Sequence, residues 1–284
     1  MSIKKYLDKT ESLKGKEILV TGATSGIGLS LARHILYKDG TLVILARNLK
    51  KAEGIKKQLL EEYPQGNIDI LRYDQSDKKV INEAVNEIKE RYPNFYALVL
   101  NAGILCPEEK EPREDGYTLT YFTNFIGLQY FIEQMRPYLK ENQRLIMQGS
   151  FVANTRKIRA KVDYKDAKTP LFKQYVISKS AVESLFYSYS TEDKSPSQIY
   201  LTEPGLTKTN IVRDLNPVVR VLGKAFLAIV SHSSKKAALT IIKALQSTTP
   251  NESYIVPRGL KTYMGYPKLK PFPNRRKRLY LLDY

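Results

Sequence analysis

Tryptophan is absent from this chain of 284 residues, cysteine occurs once, as Cys106, and histidine twice, as His34 and His232. A lone cysteine excludes an intrachain disulfide and a cysteine-rich zinc site, and it fits a reducing, cytoplasmic compartment. The two histidines fall in no motif and no His/Cys/carboxylate cluster exists, so no metal centre is expected. No run approaches the roughly 20 apolar residues that cross a bilayer. The nearest, 217–230, is interrupted by Arg220 and Lys224 and reads as an amphipathic or core helix. Met1–Gly15 lacks the apolar centre of a signal peptide.

Acidic residues are also scarce, 29 against 46 Lys and Arg, for a formal charge of +17. Such an excess favours anionic partners: an anionic cofactor, an anionic membrane surface or nucleic acid. With no zinc-finger spacing, no RNP-like aromatic motif and no continuous basic helix, nucleic acid is not expected. The basic C-terminal tail, 258–284, with its run Arg275-Arg276-Lys277-Arg278, reads as a solvated terminus. Peripheral membrane contact through Val218–Val230 and this tail is a weaker alternative.

What is present is the composition of a globular protein, with 42% hydrophobic and 26% charged residues, and too little Gly and Pro for a fibrous or disordered chain. No linker divides it, so one domain over 1–284 is expected. From Glu17 onward short apolar, β-branched runs alternate with longer helical patterns, the rhythm of parallel βαβ units. The fold class is therefore α/β, a doubly wound parallel sheet of about seven strands flanked by helices. The predicted strands are Glu17–Thr21, Thr41–Ala46, Ile68–Tyr73, Ala97–Asn101, Arg144–Gly149, Ile199–Glu203 and Tyr254–Val256. Helices are predicted at Gly26–Lys38, Leu49–Glu62, Lys78–Arg91, Tyr117–Leu139, Lys173–Ser190 and Lys235–Ser247, each with a one-sided apolar stripe. Ligands of such sheets sit beyond the carboxyl ends of the strands. The irregular stretches at about 151–170 and 203–232 would then border the site.

The first strand runs into Thr21-Gly22-Ala23-Thr24-Ser25-Gly26-Ile27-Gly28 and at once into a helix. Glycines there let the main chain approach a pyrophosphate, and the helix N-terminus offers free N–H groups. The second strand ends Leu45-Ala46-Arg47-Asn48. No carboxylate is present to accept ribose hydroxyls, and the guanidinium suits a 2′-phosphate, so NADP(H) is expected over NAD(H). Farther on, Tyr175 and Lys179 are four residues apart on one helix face. A phenol with an ordinary pKa of about 10 needs a shift of roughly three units to serve near neutral pH, and an adjacent ammonium acts in that direction.

The spacing of the glycine turn resembles the short-chain dehydrogenase/reductase family. So do Asn101-Ala102-Gly103 after the fourth strand, Asn124 with Gly127, Ser150 after the fifth strand, Tyr175-x-x-x-Lys179, and Pro204-Gly205 after the sixth. The resemblance covers nearly the whole chain. It implies an NADP(H)-dependent oxidoreductase that moves hydride between the nicotinamide and a carbonyl or alcohol. In it Tyr175 transfers the proton, Ser150 holds the substrate oxygen, Lys179 bonds the nicotinamide ribose and Asn124 fixes a relay water. It further implies cofactor contacts from Gly22, Thr24, Ser25, Gly26, Ile27 and Gly28, from Asp74 and Gln75 near the adenine, and from Asn101, Ala102 and Gly103. Pro204, Gly205, Thr207 and Thr209 would lie at the nicotinamide.

The 25 residues from Ser150 to Tyr175, the Ala46-Arg47 pair and Val218–Val230 are similar to the retinol dehydrogenase-like and protochlorophyllide reductase-like branch, which implies an apolar small-molecule substrate. Two features depart from it. Met147-Gln148-Gly149-Ser150 replaces a Ser-Ser pair, and the 151–170 insert carries Arg156, Lys157, Arg159, Lys161, Lys165 and Lys168. That cluster reads as a solvated loop, with an acidic substrate or acyl carrier as the alternative. A noncatalytic NADP(H)-sensing or scaffolding protein is the rival from another class. Assembly as a homo-oligomer is left open.

Overall fold

The computed structural model describes residues 1–105, 107, 112–154, 163–191, 198–207, 233–249, 253–259 and 264–272. The predicted Thr209, Cys106, His232, the helix at Val218–Val230, four of the six insert cations and the basic run of the tail lie outside these residues.

Among the described residues eight strands form one sheet: β1 Glu17–Thr21, β2 Thr41–Ala46, β3 Ile68–Arg72, β4 Ala97–Leu100, β5 Arg144–Gln148, β6 Gln198–Thr202, β7 Ser253–Pro257 and β8 Pro267–Pro271. Their order is β3-β2-β1-β4-β5-β6-β7-β8. All neighbouring pairs are parallel except β7 with β8. The seven expected strands thus gain an eighth, antiparallel one, inside what the sequence presents as a tail.

Strands buried on both faces explain the near-continuous apolar runs. In β1, Leu19 points into one core while Ile18 and Val20 point into the other. The first core is closed by α4 (Lys78–Arg91), α6 (Gly127–Met135) and α7 (Leu171–Thr191). The second is closed by α1 (Ile3–Asp8), α2 (Gly26–Tyr37), α3 (Leu49–Glu62) and α9 (Leu239–Leu245), which follows the short α8 (Ser234–Ala237). Each wholly buried Leu or Ile contributes on the order of 1.5–3 kcal/mol. Helix starts are set by local chemistry: Asn48 accepts from the Lys51 amide to open α3, and Asp77 accepts from the Lys79 and Val80 amides to open α4.

Two helical expectations are corrected. The stretch predicted as one helix, Tyr117–Leu139, begins with α5 (Leu119–Tyr121), passes through a π-helical turn at Phe122–Ile126 into α6, and ends in a 3-10 turn at Arg136–Tyr138. Helix α7 is not one-sided, because it is buried through most of its length, Ser178, Ser180 and Ser184 included. Phe272 packs on Phe186 and Tyr187 from one side, and Tyr164 packs on Tyr121 and Phe125 nearby. Among the described residues no helix is long and apolar enough to cross a membrane.

Candidate active site

The strand order reverses between β1 and β4, and a crevice opens there at the carboxyl ends of the strands. Thr21 ties the two strand ends together: its hydroxyl donates to the Val99 carbonyl at 3.3 Å and accepts from the Asn101 and Ala102 amides, each at 3.0 Å. Asn101 Nδ2 returns a bond to the Thr21 carbonyl at 3.0 Å. Gly22 and Gly26 have positive φ, 70° and 53°, where a side chain would be strained. At Gly28 a Cβ would stand 2.2 Å from the Gly22 carbonyl oxygen, so the helix reaches this close to the strand only without one.

The resulting cleft holds about 760 Å³. It brings together Gly22, Thr24, Ser25, Gly26, Ile27 and Gly28 from the first turn with Arg47 and Asn48 from the second strand end. Asp74, Gln75, Asn101, Ala102 and Gly103 complete its walls. Ser25 occupies the N-cap position of α2 but makes no capping hydrogen bond, leaving that helix end open towards the cleft. Three of the predicted contacts already have local partners. Asp74 Oδ1 accepts from the Ser76 amide at 2.9 Å and its hydroxyl at 2.7 Å. Asn48 caps α3. The Gln75 side chain is turned inward, donating to the Thr123 carbonyl and accepting from the Tyr73 hydroxyl.

Lys51 also lines the cleft, a residue that sequence reasoning missed. Its position four residues after Arg47, in the first turn of α3, was the available signal. Among the described residues neither cation has an ion-pair partner, and the first turn of α3 holds no acidic residue.

The second group of predicted residues lies beside the cleft, on the β4–β5 side. Ser150 is buried just past β5, and its carbonyl accepts from the Ala153 amide at 3.1 Å to start a 3-10 turn, Phe151–Asn154. This turn packs on α7, where Tyr175 is buried with Val152 and Val176 and flanked by Leu105 and Phe151. Lys179, one turn along, is 5% exposed and donates to the Gln148 carbonyl at 3.1 Å. Burial depresses its pKa to about 8, and the Glu183 carboxylate opposes that fall.

Asn124 sits on the π-helical turn and joins the two groups. Its Oδ1 accepts from the Ile104 amide at 2.8 Å, while Nδ2 donates to the Ile104 carbonyl at 2.8 Å and to Ser178 Oγ at 3.2 Å. The junction is Gly103, where a Cβ would stand 3.3 Å from Asn124 Oδ1 and 3.4 Å from Lys179 Nζ. The floor of the cleft therefore meets the buried ammonium. Beyond β6, Gly205 turns the chain at φ 72° and Thr207 donates to its carbonyl at 3.4 Å. Pro204, Gly205 and Thr207 are not among the residues lining the cleft.

A family model described as short chain dehydrogenase matches residues 16–219. The short-chain dehydrogenase TIC 32 B, chloroplastic, of Brassica napus is 27% identical over 254 residues, covering 84% of this chain and 79% of that protein. The 11-beta-hydroxysteroid dehydrogenase A of Sesamum indicum is 27% identical over 206 residues, covering 72% and 56%. Two fungal short-chain dehydrogenases, from Aspergillus nomiae and Emericella nidulans, match at 33% and 32% identity over only 35% and 41% of their own length. Among solved structures, an uncharacterised protein from Mycobacterium Paratuberculosis superimposes with TM-score 0.72 at 20% identity, covering 96% of this chain and 91% of that one. Levodione reductase gives 0.63 at 19% identity, covering 82% and 91%. The match spans the glycine turn, both halves of the crevice, Ser150 and the Tyr175–Lys179 pair, and on that extent this chain belongs to the short chain dehydrogenase family.

Proposed function

We propose that this protein is an oxidoreductase that uses NADP(H) to interconvert a carbonyl and an alcohol, with Asn124, Ser150, Tyr175 and Lys179 as its catalytic residues. The observation that carries this reading is the buried Lys179, its ammonium at the end of β5 where the cleft floor meets it, one helical turn from an equally buried Tyr175.

The residues present fit a dinucleotide. An uncapped helix start, glycines that leave room for a close backbone approach, and amides at Gly22–Gly28 suit a pyrophosphate. Arg47 and Lys51, free of ion pairs among the described residues and with no acid in the first turn of α3, suit a ribose 2′-phosphate. When bound, the nicotinamide supplies or accepts the hydride. Ser150 holds the substrate oxygen by its hydroxyl. Tyr175 gives that oxygen its proton as negative charge develops there, and takes it back in the oxidative direction. Lys179 lowers the cost of the phenolate left behind, since at pH 7 a group with a pKa of about 8 is still largely charged. Asn124 holds Ile104, and with it the neighbouring Gly103 beside the Lys179 ammonium.

Val152, Val176, Leu105 and Phe151 around the phenol support an apolar small-molecule substrate. The described cations of the insert are accounted for at the surface: Lys165 lies over the Tyr117 ring at 5.0 Å, and Lys168 is exposed. A cytoplasmic location is proposed from the single cysteine.

The test is a panel of aldehydes, ketones and quinones followed by loss of NADPH absorbance, run with wild type and Tyr175→Phe. Wild type should turn over at least one apolar carbonyl, and Tyr175→Phe should bind NADPH with unchanged affinity yet lose nearly all turnover. Full turnover by Tyr175→Phe removes the phenol from the chemistry.

A further inference from the structure

A buried ammonium is stabilised by a negative group nearby, while the Gln148 carbonyl that Lys179 Nζ bonds and Gly103 on the cleft side are neutral. We propose that Glu183 is a positioning residue for Lys179, holding the ammonium charged and in place at the end of β5. The proposal rests on the reading of Lys179 as the cation that assists the Tyr175 phenol.

Tyr175, Lys179 and Glu183 follow at four-residue steps on α7, so their side chains form one row along the helix. Their exposures are 8%, 5% and 2%. The row lies across the end of β5. Lys179 Nζ bonds the Gln148 carbonyl at 3.1 Å, and Glu183 Oε1 lies 3.6 Å from the point where a Cβ on Gly149 would stand. Cation and anion therefore rest on two consecutive residues of one strand end. The absent side chain of Gly149 gives the carboxylate its room. Each charge alone would carry a large desolvation cost, and each reduces the cost of the other. The electrostatic effect has the matching sign, because Glu183 raises the Lys179 pKa against burial.

Arg144, Tyr121 and Glu133, on elements packed against α7, are turned to other partners. Arg144 at the start of β5 bonds Tyr200 of β6 and the carbonyls of Ala244 and Ser247. Tyr121 of α5 faces Tyr164. Glu133 of α6 accepts from Tyr189, well along the helix. Glu203 is buried beyond β6, its amide bonded to the Ile255 carbonyl.

The first arm of the test needs no activity. Urea unfolding of the apo-protein is compared for wild type, Glu183→Gln, Lys179→Met and the double variant at pH 7 and pH 10. At pH 7 Glu183→Gln should lower the unfolding midpoint more in wild type than in the Lys179→Met background. At pH 10, with Lys179 neutral, that difference should vanish. Equal effects in both backgrounds at both pH values overturn the proposal. The second arm is the pH dependence of kcat in wild type, Glu183→Gln and Glu183→Asp. Glu183→Gln should move the alkaline limb down by about one unit, a tenfold change in kcat at a pH on that limb, with Glu183→Asp restoring part of it. A Glu183→Gln enzyme that is less stable but has an unmoved limb also overturns the proposal, and this arm decides if Lys179→Met does not fold. Should no carbonyl be reduced at all, the functional reading fails while the unfolding cycle still decides the pairing.

Discussion

Asn124 and Ile104 grip each other by a reciprocal pair of hydrogen bonds, both 2.8 Å, one into the amide oxygen and one out of its nitrogen. The side chain thereby replaces a strand neighbour for the loop after β4, and it is wholly buried. Asn124→Ala would orphan two main-chain groups at once. A loss of about 2–6 kcal/mol is expected, from a cost of about 1–3 kcal/mol for each unsatisfied buried group. Asn124→Asp should be worse than Asn124→Leu in binding NADPH, because a carboxylate faces the Ile104 carbonyl. Urea unfolding and NADPH titration check both statements, and an Asn124→Ala protein as stable as wild type contradicts the first.

At Gly28 the obstacle is backbone rather than side chain. A Cβ there would stand 2.2 Å from Gly22 O and 2.7 Å from Asn101 Nδ2, so Gly28→Ala must push α2 off the strand end. The fold has ample core elsewhere, so far-ultraviolet circular dichroism should be retained. NADPH affinity should drop by about a hundredfold, equivalent to roughly 2.7 kcal/mol. Gly54→Ala, where a Cβ meets nothing within 4 Å, is the control and should bind as wild type.

The sequence yields β1 to β6 nearly to the residue because each carries apolar side chains into two cores, a signal that survives without context. It hides β8 for the opposite reason. Pro267-Lys268-Leu269-Lys270-Pro271 is an edge strand whose prolines and lysines suit an exposed rim, and its membership comes from pairing with β7 alone. Helix α1 escapes notice because only Leu7 is buried in it. The π turn around Asn124 is invisible because every residue from Phe122 to Ile126 is buried, which erases any periodicity. In the candidate site, motif spacing is what points to the proposed residues. That Lys179 lies inside the protein rather than on a solvated face depends on what covers α7, and this comes from segments distant in sequence.

Cofactor choice is expected to turn on Arg47. Among the described residues it has no carboxylate partner, and Lys51 stands one helical turn away in the same cleft. Arg47→Asp replaces a phosphate-matching fork by a group that repels phosphate and accepts ribose hydroxyls. The ratio of kcat/KM for NADPH over NADH should fall by about ten- to a hundredfold, the scale of one charge-assisted contact of roughly 1.5–3 kcal/mol. Lys51→Ala should lower the same ratio by a smaller factor. An unchanged NADPH preference in Arg47→Asp removes the assignment of NADP(H).

The His34 imidazole is expected to make the fold acid-sensitive. It is buried on α2, with Nε2 2.7 Å from the Lys235 carbonyl, and beside it Ser30 Oγ lies 2.9 Å from Ser234 Oγ. Together these contacts dock α8 onto α2. Burial holds the His34 pKa below its ordinary 6.5, outweighing the upward pull of the Lys235 carbonyl. The unfolded chain therefore binds a proton near pH 6 that the folded chain refuses. Stability from this site is fully present above about pH 6.5 and is lost as the pH falls through the lowered folded value. Thermal unfolding from pH 8 to pH 5 should show the melting temperature falling on acidification more steeply in wild type than in His34→Leu. Parallel profiles for the two proteins would place the acid sensitivity elsewhere.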